Sequence, residues 1–155
     1  MPSPLLATLF TLAALPAMAQ ELVDGSMVDE IVTIASGYGS ATLERQPGGT
    51  HRIAGNIEGV PYSVFFMNCD APDLCQDLNF YAAFAGIKPT MDAVNAWNRD
   101  KRFGNAYLDS DLDAVIEFDI NLEHGVSRDN LDAAFSLWSV LLGQYTDYVG
   151  YKPAP

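Results

Sequence analysis

Basic residues are scarce in this chain of 155: eight lysines and arginines stand against 20 aspartates and glutamates, a formal net charge of −12. That balance excludes nucleic acid and anionic lipid as partners, because most of the surface repels phosphate. Cysteine is nearly absent, with only Cys69 and Cys75. Histidine is as rare. His51 and His124 lie far apart and share no ligand spacing with the cysteines, which excludes a zinc site. Both read as exposed residues of loops or strand edges. No glycine-rich phosphate loop is present, since Pro47-Gly48-Gly49 is a turn with no helix after it. Neither G-x-S-x-G nor H-E-x-x-H occurs. Ser127 lies three residues from His124 but has a simpler use as a helix cap. There is no internal repeat or low-complexity tract. Together these absences point away from an enzyme and call for no cofactor and no metal.

What is present begins at the N-terminus. MPSPLLATLFTLAALPAMA holds an apolar run over residues 5–15 and ends in the A-x-A pattern Ala17-Met18-Ala19. That layout predicts a signal peptide over residues 1–19 cleaved near Ala19, although its first residues carry no lysine or arginine. The run is shorter than the roughly 18 residues a membrane span needs, and Pro16 breaks it. No later segment approaches that length, so no membrane span is expected after signal removal. Residues 20–149 suit a single domain, and residues 150–155, rich in proline, a flexible tail. A hydrophobic content of 49% excludes disorder. Export implies a periplasmic or secreted protein in an oxidising compartment, where Cys69 and Cys75 bridge as a structural staple.

The patterning alternates between periods. Ser26 with Asp29 approximates a capping box before a short helix whose apolar face is Val28, Ile31, Val32 and Ala35. Period two follows, predicting strands at residues 41–45, 52–57, 60–67 and 78–85. The cysteines then mark the ends of the loop joining the last two strands. Pro89-Thr90 opens a second helix over residues 91–100, with Val94 and Trp97 facing the core. Residues 105–108 and 114–122 form a hairpin, whose second strand points its acids outward and most of its large apolar residues inward. Ser127 caps a final helix to about residue 149. Its stripe of Leu131, Phe135, Trp138, Leu141, Leu142 and Tyr145 is widened by Leu137 and Val140, more apolar face than one sheet surface needs. That surplus predicts a packed partner and makes a homodimer through the last helix one option. The order of elements gives an α+β fold, an antiparallel sheet with helices packed on it.

Two segments invite chemistry. Asp109-Ser110-Asp111-Leu112-Asp113 matches the first oxygen positions of a calcium loop. It then places Ala114 and Ile120 where that loop requires glycine at position six and glutamate at twelve, so a solvated hairpin tip is the better reading. The other segment is NAWNRDKRFGNAYLD, residues 95–109, which gathers three of the eight basic residues. Asn95, Asn98, Arg99 and Arg102 follow i, i+3, i+4, i+7, and a helix continued that far would align them on one face beside the anchor Trp97 and the neighbouring Phe103. A structural account competes: basic residues suit a helix C-terminus, and Asn95 or Asn98 could lock the helix to the next strand. Asn95, Trp97, Asn98, Arg99, Arg102 and Phe103 are the partner-binding candidates.

The same segment resembles the signature of the YbjN-type family of bacterial sensory transduction regulators. The match runs through Asn95-Ala96-Trp97-Asn98-Arg99, Arg102-Phe103-Gly104 and Ala106-Tyr107-Leu108-Asp109. It is flanked by the aromatic strand around Phe80-Tyr81 and by Glu117-Phe118-Asp119 and Gly125-Val126-Ser127. The resemblance implies a fold like that of type III secretion chaperones, small acidic proteins that often dimerise through a helix and bind a protein client. The expectation is a non-catalytic exported protein, a regulator or chaperone-like, that recognises a protein partner. The alternative is a small-ligand or metal-binding envelope protein.

Overall fold

The computed structural model describes residues 22–153. The expected signal peptide and its cleavage site lie outside the described residues, as does the end of the tail. In chain order the elements are β1 (Leu22–Val23), α1 (Val28–Ala35), β2 (Ser40–Arg45), β3 (His51–Ile57), β4 (Val60–Ala71), β5 (Leu74–Phe84), α2 (Met91–Asp100), β6 (Asn105–Leu108), β7 (Ala114–Asn121), β8 (Val126–Ser127) and α3 (Arg128–Val149). Six strands form one antiparallel sheet in the order β2-β3-β4-β5-β7-β6, while β1 and β8 pair separately. The fold is α+β, as the patterning predicts.

Alternation gives the sheet two unlike faces. One inner row reads Leu43, Ile53, Val64, Phe80, Phe118 across five strands. The row beside it reads Ala41, Gly55, Tyr62, Ala82, Ile116, Ala106. The helices pack on this face. Trp138 and Phe135 of α3 set their rings 5.6 and 4.9 Å from Phe80, and Trp138 lies 6.0 Å from Tyr62. Gly55 has no side chain for a steric reason: a Cβ there would fall 2.2 Å from the Tyr62 ring. Burying this set of aromatic and branched side chains supplies the main drive to fold.

Several expectations need correction. Ser26 does not cap α1. Its N–H and hydroxyl both donate to Asp24 Oδ1, at 2.9 and 2.6 Å, and Met27 occupies the cap position without a side-chain bond. Those bonds hold the Asp24 carboxyl below its usual range. The cysteines do not flank a loop. β4 and β5 run on past the expected ends, so Cys69 and Cys75 face each other across the hairpin and are joined by a disulfide. His51 is buried, because β3 starts one residue early and alternation places it on the inner face with Ile53 and Ile57. The tail is not loose from residue 150. Gly150 caps α3 in the left-handed conformation, Tyr151 N–H donates to Thr146 O, and the Tyr151 ring packs 5.0 Å from Phe84. The two-residue strands β1 and β8 are too short to leave a periodic signal. No helix among the described residues is long and apolar enough to cross a membrane.

Candidate functional site

The basic segment folds in two halves that do different things. Thr90 Oγ1 accepts from Ala93 N–H and starts α2, whose Val94 and Trp97 are buried. Trp97 sits 4.8 Å from the Tyr145 ring of α3, centroid to centroid. The helix stops at Asp100, and Lys101 is already extended. Arg102 therefore never joins Asn95, Asn98 and Arg99 on one helical face. Asn98 reaches over to β6, where its Nδ2 donates to Ala106 O at 2.9 Å and its Oδ1 accepts from Ala106 N–H at 2.8 Å. Because β6 is an edge strand, this amide takes the place of a further strand. Trp97 and Asn98 thus build the framework, and the competing structural account holds for them.

Asn95, Asn98, Arg99, Arg102 and Phe103 are all exposed, and with the Asn98 amide tied to Ala106 the exposed candidates left without that framework role are Asn95, Arg99, Arg102 and Phe103. Arg99 pairs with the adjacent Asp100, Nε to Oδ1 at 2.9 Å, and with both groups in water the pair is weak. Arg102 holds its guanidinium 5.2 Å from the Phe103 ring. Phe103 is 59% exposed and has φ of 72°, a backbone state rare for a bulky residue. The next residue explains the geometry. Gly104 is buried, and a Cβ there would meet Ile116 Cδ1 at 3.1 Å, so the chain dives inward at Gly104 and leaves Phe103 turned out.

A second surface escapes single-segment reading. The face of the sheet opposite the helices is uncovered. Its rows read Glu44, Arg52, Phe65, Asn79, Asp119 and Thr42, Ala54, Ser63, Tyr81, Glu117, Asn105. Met67, 47% exposed, follows Phe65 on the same side of β4, and Asp77 pairs with Asn121. The carboxylates are held by neutral donors. Asn79 Nδ2 donates to Asp119 at 2.8 Å, Asn121 Nδ2 to Asp77 at 2.6 Å, and Tyr107 OH to Glu117 at 2.8 Å. Asn68, in the left-handed region at φ 51°, gives Asp77 a second amide. Among the described residues no lysine or arginine pairs with Asp77, Glu117 or Asp119. Burial and the bond to Glu117 push the Tyr107 hydroxyl well above its ordinary pKa. Tyr81 is raised too, by burial first and then by Asp109 and Glu117. Phe65 and Tyr81 meet edge to face at 5.9 Å in the middle. The sequence signal was the alternation itself: residues 65 and 67, residues 77, 79 and 81, and residues 117, 119 and 121 come to one side once the strands are paired in register.

Other polar clusters are spoken for. Asp109 Oδ1 accepts from Asp111 and Asp113 N–H at 2.9 Å each, and Lys88 Nζ binds Asp111 O at 2.5 Å, which fixes the acidic hairpin tip internally. Asp73, at the disulfide-closed tip of β4 and β5, approaches Arg45 Nη2 at 3.4 Å and His51 Nδ1 at 3.3 Å. Among the described residues no three histidine, cysteine or acidic side chains converge to hold a metal. The apolar surplus of α3 shrinks on folding. Leu137 packs against the core, while Val140 stays 51% exposed and Tyr148 45%.

The model of the YbjN family, described as "putative bacterial sensory transduction regulator", covers residues 28–150. No curated protein matches the chain.

Proposed function

The chain belongs to the YbjN family, and from that premise we propose that it is a non-catalytic regulator that works by recognising a protein partner outside the cytoplasm. The observation that carries the reading is the uncovered face of the six-stranded sheet, where aromatic side chains and carboxylates stand in water with no helix over them. A sheet face with Phe65, Met67 and Tyr81 at its middle has the apolar centre and polar rim of a recognition surface. The Arg102–Phe103 pair is a second contact point, a cation and an aromatic ring turned outward by the backbone. The disulfide supports an oxidising compartment, the periplasm or the exterior, in keeping with the leader-like first nineteen residues.

The test is site-specific photocrosslinking in native cells, with the reactive residue placed at Ser63 on the sheet face, at Phe103, or at Val140 on α3. The reading expects one defined protein captured from Ser63, with or without Phe103. Capture only of a second copy from Val140 would replace it with a helix-mediated dimer. A turnover abolished by one point substitution would end the non-catalytic reading.

A further inference from the structure

We infer that the uncovered sheet face receives a lysine- or arginine-rich extended segment of the partner protein, an inference that rests on the recognition role proposed above. Three carboxylates, Asp77, Glu117 and Asp119, lie in adjacent register positions of β5 and β7. Each is oriented by an amide or a phenol, which fixes its direction and leaves its charge intact. An acidic face built to orient charge without neutralising it is completed by cations from outside the chain. Asn68, next to the bulge at residues 69–71, adds a second amide to Asp77.

Spacing selects the partner. Residues two apart on a strand are about 7 Å apart, and cross-strand neighbours about 5 Å. An extended peptide repeats its side chains on one side at the same pitch of about 7 Å, so basic residues at alternate positions match Glu117 and Asp119 and continue toward Asp77. The intervening apolar surface suits the stems of those side chains, with the Tyr81 ring available to a cation. A divalent metal is a poor fit, since it draws its oxygens to about 2.4 Å and these carboxylates are tied to separate donors. A second copy of this chain is a poor fit as well. Its net charge of −12 opposes close approach.

The experiment uses the mature chain and two dye-labelled synthetic peptides, one alternating lysine and valine, the other glutamate and valine, read by fluorescence anisotropy at low and physiological salt. Glu117→Gln/Asp119→Asn removes charge from the face and keeps its shape. Asp132→Asn/Asp147→Asn removes the same charge from α3. The expected result is that the lysine peptide binds wild type and the α3 variant alike, weakens about tenfold or more with the face variant, and weakens with salt, while the glutamate peptide does not bind. Equal weakening by both variants would reduce the effect to the field of the whole protein and overturn the inference. So would competition by calcium chloride well beyond that of sodium chloride at equal ionic strength, or no binding of the lysine peptide to wild type. A partner crosslinked from Ser63 and indifferent to Glu117→Gln/Asp119→Asn would overturn the inference and leave the recognition role standing. No partner at Ser63 would remove the recognition role itself.

Discussion

Asn98 shows how much one side chain can decide. Its amide satisfies both outward backbone groups of Ala106, which is only 5% exposed. Asn98→Ala strands that N–H and C=O together, a loss of about 2 kcal/mol. Urea unfolding should show it as a lower midpoint with an unchanged slope. The lock was legible in the sequence as one of two options for the asparagines, since an amide at a helix end has few other uses. Phe103 was not legible, because its left-handed backbone follows from the close fit of Gly104 against Ile116, a contact between distant segments. A second expectation concerns pH. Burial pushes Tyr62 and Tyr145 from 10 up to about 12, and neither hydroxyl finds a protein partner among the described residues. A folded pKa above the unfolded value means the contribution is whole below about pH 10 and lost as pH rises toward 12. Alkaline titration should therefore show tyrosinate absorbance from these two rings appearing together with loss of the near-ultraviolet dichroism. Tyr62→Phe and Tyr145→Phe should each move that transition to higher pH and cost little at neutrality.

Among the elements, β4 and β5 are the longest strands, pairing from Ala71–Leu74 at the tip of their hairpin through Ser63–Tyr81. Alternation identified both strands but stopped them short, because Asn68, Asp70 and Asp73 read as loop residues. In the structure a bulge near residues 69–71 absorbs them and the ladder continues through the disulfide. α2 ends at Asp100, as the patterning predicts, so the continued helix that would align Arg102 with Asn95 does not form. Reducing Cys69–Cys75 should destabilise the protein by about 2 kcal/mol in the chain-entropy account. Unfolding curves with and without reductant measure that. Hydrogen exchange should show faster opening confined first to the tip and to the Asp73 contacts with Arg45 and His51. A global change with no local opening would assign the bond to the unfolded chain alone.

For the molecule as a whole, charge and face matter more than any single group. Fold class was readable from the order of periods, but the uncovered sheet face was not, since it exists only after five strands align in register. The net charge of −12 should make stability depend on salt. Raising ionic strength from about 0.01 to about 0.15 M shortens the screening length from about 30 to about 8 Å and relieves self-repulsion. The melting midpoint should rise by a few degrees, and a fall would show that attractive pairs dominate instead.

The two ends of the sheet are also unequal. β6 has only four residues, and the Asn98 amide occupies its outward groups at Ala106. β2 has six, and among the described residues no side chain bonds its backbone. A chain that adds strands at both ends of its sheet can polymerise without limit. With β6 short and its centre held by the Asn98 amide, two molecules joined along β2 would leave poor templates at both outer borders, and growth of a fibre would be discouraged there.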